Sequence, residues 1–243
     1  MNHVFLLHNP KAAGSALRAL LASRFVDAEV APVFLNSPFD PRPIQNISRE
    51  FSGFSFYAGH YGFDAYAALA NDHILVTNFR DPAARIQSVY RYWRNNVDAA
   101  QLAANERGPI ELAQTLSFAD FIRNPDPGLR LYIENFHFRQ LLGSGWKARN
   151  CTILDRVIVR RRIARMRWFF IQEMAAASLE LLRHELPIYR GRALETINVS
   201  SGERPPIADA DLRYLKAINR LDYAIYAFAV RLQEKRAASL AAR

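Results

Sequence analysis

Apolar residues run without interruption from Val4 to Leu7, and a turn-like polar and small segment follows from His8 to Ser15. Behind it Leu17, Leu20, Leu21 and Phe25 recur at the spacing of one helical face. The chain therefore opens as strand, loop and amphipathic helix. Phe54 to Ala58 reads as another strand, ending at Gly59 and His60, with a short helix over Phe63 to Ala70. His73 to Phe79 (HILVTNF) is the clearest buried strand. It runs into Arg80, Asp81 and Pro82, where Asp suits a helix N-cap and Pro the first helical position. The helix after it carries Ile86, Val89, Tyr90 and Trp93 on one stripe.

Beyond residue 97 the pattern is mostly helical, with helices expected over Ile110–Arg123, Leu129–Leu142, Ile153–Met166 and Met174–Leu186. The intervening loops are Asn124–Gly128 and Gly143–Gly145, and the Pro-rich segment Asn36–Pro43 is a further loop. Trp168–Gln172 and Thr196–Val199 read as strands, and Asp209 starts one long helix that carries Leu212, Leu215, Ile218, Leu221, Ile225 and Phe228. Alternating strands and helices predict an α/β fold, a largely parallel central sheet flanked by helices in three layers. No repeat or linker divides the chain, so residues 1–243 are expected to form a single domain.

Composition narrows the classes. Half of the 243 residues are apolar, enough for a sizeable core. The single cysteine, Cys151, can build neither an internal disulfide nor a multi-cysteine metal site, which suits a reducing compartment. No signal-peptide core or membrane-spanning run is visible, so a cytoplasmic protein is expected. The formal charge is +9, and 28 of the 32 basic residues are arginines, an excess that codon bias on solvated positions explains. Such a charge suits nucleic acid, anionic lipid or an anionic small molecule. The densest cluster, Arg156 to Arg167, spreads around a helix and lacks any helix-turn-helix or RNA-binding signature, so nucleic acid is not the expected partner.

In a parallel α/β sheet, ligands bind beyond the carboxyl ends of the strands, where helix N-termini offer free N–H groups. Two such ends carry unusual side chains. The first is HNPKAAGSA, His8 to Ala16: small residues at Ala12, Ala13, Gly14, Ser15 and Ala16 admit an oxyanion to the backbone, and Lys11 adds a mobile positive charge. Alone, the segment equally fits an ordinary helix start with a surface lysine. It is not a Walker A loop, because its lysine precedes the only glycine, and no magnesium ligand is evident. The second is RDPAARIQS, where Arg80 at a strand end and Ser88, two turns into the helix, converge as a phosphate clamp. Arg80 could instead serve a structural salt bridge.

HNPKAAGSA and NFRDPAARIQSVYRYW together resemble the two signature segments of sulfotransferases that use 3′-phosphoadenosine-5′-phosphosulfate (PAPS). The likeness is to the carbohydrate-type branch, whose first motif reads approximately H-I-P-K-T-A-G-T-S. GHYGF (Gly59–Phe63), NFHFRQLLG (Asn135–Gly143), RWFFIQEMAAASLELL (Arg167–Leu182), INVS (Ile197–Ser200) and DYAIY (Asp222–Tyr226) resemble weaker blocks of that family in the same order. The resemblance implies a P-loop-like sulfotransferase fold and transfer of a sulfuryl group from PAPS, the co-substrate, to a hydroxyl acceptor, a carbohydrate. It further implies that Lys11, the backbone of Ala12 to Ala16 and Ser15 hold the 5′-phosphosulfate, while Arg80 and Ser88 hold the 3′-phosphate. The chain departs from the motif at Ala12 and Ala16, where two hydroxyls are missing.

An alcohol acceptor must lose a proton, and histidine is the usual base near neutral pH. His60, preceded by Gly59, is the candidate; the position before that glycine, a second histidine in some family members, is Ala58. A histidine satisfied within a loop is the plainer alternative. His8 has a packing or orienting role, His3, His73, His137 and His184 lack a nearby partner motif, and no spacing suggests a metal site. Two other functions fit parts of the pattern: a nucleotide-dependent kinase on a similar core, and a basic nucleic-acid- or polysaccharide-binding protein without activity.

Overall fold

The computed structural model describes residues 3–32, 46, 49–70, 72–102, 104–143, 151–194 and 206–242. Strands β1 (Val4–Leu7), β2 (Phe56–Gly59), β3 (Ile74–Phe79) and β4 (Phe170–Ile171) form one four-stranded sheet in the order β2-β1-β3-β4. Every pair is parallel: Val4 lies beside both Phe56 and Ile74, and Asn78 beside Phe170. All four residues of β1 are buried, as expected for a central parallel strand covered on both faces.

The period-two alternation within the strands sorts two cores. Val4, Leu6, Phe56, Ala58, Val76 and Phe170 point to one face, where Leu17, Leu20 and Leu21 of α1 (Gly14–Ala22) and Leu181 and Leu182 of α9 (Ala175–Glu185) cover them. Phe5, Leu7, Tyr57, Phe79 and Ile171 point to the other. There they meet α2 (Phe63–Leu69), α7 (Phe136–Leu142), α8 (Ile153–Arg165) and α11 (Arg220–Ala241). The three-layer α/β expectation is thus met. A third cluster packs α3 (Pro82–Asn96) against α4 (Ala104–Thr115), α5 (Phe118–Arg123), α6 (Pro127–Ile133) and α10 (Asp209–Ile218).

Three helices expected to be continuous are broken. Ser117 accepts the Asp120 N–H at 3.2 Å and starts α5 afresh, dividing the expected Ile110–Arg123 helix. The other two breaks interlock. Asn135, at φ 44°, separates α6 from α7, and Asn219 separates α10 from α11. The Asn135 side-chain oxygen accepts the Leu221 and Asp222 N–H groups, while Asn219 accepts the Asn135 N–H at 2.8 Å. Asp222 in turn accepts the N–H groups of His137 and Phe138 at the start of α7. Each helix start thus supplies the other's cap, and the free amide groups that a break creates are satisfied across space. Burial raises the pKa of Asp222, and the neighbouring guanidinium of buried Arg85 opposes that rise.

The strand expected over Trp168–Gln172 is pared to Phe170 and Ile171, because the chain turns at once into a short 3-10 segment. The strand over Thr196–Val199, the loop over Asn36–Pro43 and most of the loop after Gly143 lie outside the described residues. In the arginine cluster, Arg162 donates to the Leu141 and Leu142 carbonyls at the end of α7 and stacks on Phe63. Arg160 lies over Phe228, and Arg167 pairs loosely with Glu185. Two arginines of that cluster, Arg160 and Arg162, therefore hold α8 against its neighbours.

Candidate functional site

The β1-to-β2 connection leaves the sheet toward one side and the β3-to-β4 connection toward the other. The carboxyl ends of β1 and β3 therefore flank a topological switch point, where open α/β sheets form a crevice. Both signature segments lie there. Lys11 and Ala13 are left-handed, with φ of 61° and 64°, on either side of Ala12. Left-handed residues in a loop that leads into a helix are an ingredient of the backbone concavities that bind anions. Helix α1 begins directly behind, and no side chain caps its first amides.

Asn78, near the end of β3, holds this loop in shape. Its carboxamide accepts the Asn9 N–H at 2.8 Å and donates to the Asn9 and Ala12 carbonyls at 2.9 and 2.6 Å. Two residues on, Arg80 donates to the Lys11 carbonyl at 2.8 Å. Two strand ends are thereby stitched into one surface that carries both cations. Burial and the positive charge of Arg80 lower the Lys11 pKa. The Lys11 ammonium rests over the ring of Tyr92, 3.8 Å from its centre. Ser88 is half-buried on α3, one turn before Tyr92. Asp81 caps α3 through the Ala84 N–H at 2.9 Å, so the carboxylate beside Arg80 serves the helix start.

Gly14 meets a packing demand as well: a β-carbon there would collide with the His8 imidazole, so the glycine makes room for that ring. Ala12 and Ala16 are also buried, which leaves Ser15 as the exposed hydroxyl of the loop.

On the other side of the loop a cleft of about 560 Å³ opens, lined by His8, Ser15, Arg18, Phe25, Gly59 and His60 among others. Lys11, Arg80 and Ser88 do not line it. The His8 and His60 rings lie against each other, tilted by 41°, with centres 4.4 Å apart. His60 Nδ1 lies 3.0 Å from the His8 carbonyl, which can only accept; Nδ1 therefore carries the proton, and neutral His60 keeps its lone pair at Nε2. Crowding by surrounding protein lowers the His60 pKa, although the ring stays open to solvent through the cleft. His8 is lowered further by burial, by His60 and by the nearby Arg18 and Lys11 cations. Both rings are neutral at neutral pH.

Four positioning residues escaped the sequence reading. Gln140, fully buried, donates to the carbonyls of His8 and Tyr61 and ties the loops after β1 and β2 together. Thr77 donates to the Leu7 carbonyl at 2.8 Å and meets His137 Nε2 at 3.1 Å, so His137 does have a partner. Glu173 accepts the Asp81 N–H at 3.0 Å and the Tyr226 hydroxyl at 3.0 Å, joining the start of α3 to α11. Asn78, Gln140 and Glu173 lie inside segments that carry the family resemblance, but nothing local marked them as the residues that hold the site; Thr77 lies just outside them. Their contacts span tens of residues and leave no local trace in sequence.

A comparison with protein-family models and with curated proteins yields no match.

Proposed function

We propose that the chain is a PAPS-dependent sulfotransferase that sulfates a hydroxyl, with a carbohydrate as the acceptor. The observation that carries this reading is the junction of the two signature segments. Asn78 and Arg80 bind the backbone of the Lys11 loop, building one doubly cationic, nest-like surface at the switch point. The remaining resembling segments within the described residues join the same assembly: His60 reaches His8, Gln140 reaches His8 and Tyr61, and Tyr226 reaches Glu173 beside Asp81. That segments resembling one family in chain order meet around one surface supports this reading.

In this reading the Lys11 loop and Ser15 receive the 5′-phosphosulfate, and Arg80 with Ser88 receives the 3′-phosphate. The acceptor hydroxyl approaches from the cleft, where Phe25 offers an apolar face and Arg18 and Asp27 offer polar ones. Its oxygen bonds to sulfur as the bond from sulfur to the phosphate oxygen breaks, and His60 Nε2 takes the hydroxyl proton. Lys11 swings from Tyr92 to stabilise charge on the departing phosphate oxygen. The products are a sulfate ester and adenosine 3′,5′-bisphosphate.

Adenosine 3′,5′-bisphosphate should raise the thermal stability without magnesium, and ATP should do so weakly; equal or stronger stabilisation by Mg-ATP would favour a kinase and sink this assignment. Lys11→Ala should abolish transfer. His60→Ala should slow transfer and leave bisphosphate binding intact. Full turnover by the latter variant would remove His60 as the base.

A further inference from the structure

At the opposite end of the sheet, three side chains of metal-binding type meet. Parallel pairing of β1 with β3 sets Val4 beside Ile74 and therefore His3 beside His73, and the Ile74 N–H donates to the His3 carbonyl at 2.8 Å. The His3 and His73 rings lie 4.9 Å apart. Asp72 Oδ1 is 2.8 Å from His73 Nδ1. One ligand atom from each of His3, Asp72 and His73 falls within 4.8 Å of the other two. Sequence spacing hides this group, because sixty-eight residues separate His3 from Asp72 and only the strand pairing joins them.

The orientation of His73 is what makes the cluster a site. Its Nε2 lies 2.9 Å from the Phe54 carbonyl, an acceptor only, so that nitrogen carries a proton, and Nδ1 faces Asp72 in a hydrogen bond whose proton a metal would displace. A ligating histidine is commonly fixed in this way, its second N–H bound to a carbonyl. The His73 side chain is only 6 % exposed and cannot turn away, whereas Asp72 is 77 % exposed and free to adjust. Tetrahedral zinc with bonds of about 2.0–2.2 Å to nitrogen and oxygen needs ligand atoms roughly 3.3 Å apart; from a group held within 4.8 Å the widest pair closes by at most about 1.5 Å, and the 2.8 Å Asp72–His73 pair opens by about 0.5 Å.

We propose that His3, Asp72 and His73 bind one divalent transition-metal ion, zinc by the chemistry of two imidazoles and a carboxylate, with water at the fourth position. The ion would staple the segment before β1 to the turn before β3, away from the nucleotide end of the strands. It has no part in the sulfuryl-transfer reading and stands or falls separately.

Calorimetric titration of the full, tag-free chain with zinc, after chelator treatment, should give one bound ion per chain. Cobalt(II) should show the visible bands of a tetrahedral site. His3→Ala and Asp72→Ala, both changes at accessible positions, should each weaken zinc at least about 10-fold and abolish the cobalt bands. Without metal, both variants should melt like the parent. The proposal is overturned if the parent chain shows no saturable zinc binding, or if either variant binds zinc as the parent does. Dependence on Asp72 and His3 together separates this site from zinc held elsewhere on the chain.

Discussion

His137 should make the protein acid-sensitive in a way that can be isolated and measured. Its imidazole is 4 % exposed and sits between Thr77 and the ring of Phe79. The Thr77 hydroxyl already donates to the Leu7 carbonyl, so His137 Nε2 must donate to Thr77. Burial first, and the Arg85 cation second, push its pKa down to about 3. The unfolded chain keeps the ordinary value of about 6.5. Because the folded pKa is depressed, the unfolded state binds the proton more readily. Stability is complete above about pH 6.5 and falls as the pH drops from there toward about 3. Between about pH 7 and about pH 5 the loss is about 2 kcal/mol, from 1.36 kcal/mol per unit of unmatched titration. For a chain of this size that amounts to roughly 4–8 °C in Tm. His8 and His60 add losses of the same sign, so the parent should be compared with His137→Gln, whose amide can still donate to Thr77 and does not titrate. In urea unfolding at both pH values, the variant should be less acid-sensitive than the parent by about 2 kcal/mol. An equal loss in both proteins would mean that His137 is not held neutral by its surroundings.

Three further outcomes follow from the loop geometry. Gly14→Ala places a β-carbon where the His8 ring lies, and overpacking of this kind costs about 1–3 kcal/mol; thermal melts should show the loss, and unchanged stability and unchanged bisphosphate binding would refute the packing role. Asn78→Ala leaves the Asn9 N–H and two carbonyls unpaired, a cost of about 1–3 kcal/mol for a buried unsatisfied group, and should weaken adenosine 3′,5′-bisphosphate binding measured calorimetrically. The depressed pKa of His60 places the acid limb of the proposed reaction below the ordinary imidazole value, because the base is active once deprotonated; a limb in the pH–kcat/KM profile at or above about 6.5 would exclude His60 as the titrating base.

The architecture was readable wherever a local pattern decides it. Continuous apolar runs at Val4–Leu7 and Ile74–Phe79 reflect strands buried on both faces, and Asp81-Pro82 announced the start of α3 by capping chemistry alone. The helix breaks at Asn135 and Asn219 were not readable. Each residue fits an apolar helical pattern, and the break is stabilised only by the other segment, more than eighty positions away. The site divides in the same way. Lys11, Ser15, Arg80 and His60 stood out as unusual side chains at strand ends. Asn78 and Gln140 read as ordinary polar residues until the strands were aligned, because their partners are backbone carbonyls. At Gly14 the structure adds a packing demand that the sequence does not show, since a β-carbon there would collide with the His8 ring.

The loop after β1 also explains why one of only four lysines stands where it does. Its backbone is fixed twice over, by Asn78 on Asn9 and Ala12 and by Arg80 on the Lys11 carbonyl itself. Fixing the Lys11 backbone this way half-buries its ammonium and brings it near a second cation; burial first, and repulsion by Arg80 second, lower the lysine pKa. Tyr92 relieves part of that strain by offering its ring face. A multiply charged anion entering the nest would relieve more, since it meets both cations at once and turns their mutual repulsion into a reason to bind. The side chain that must then move from the aromatic ring to the anion needs a compact charge on a flexible stem. A guanidinium, whose planar fork is best used in a fixed bidentate pairing, suits the static clamp that Arg80 makes and not this transfer. On the proposed function, the division of labour between the two residues follows from where each charge is anchored: Arg80 is tied by its head group to the loop, and Lys11 is tied by its backbone, with its ammonium resting on the Tyr92 ring face.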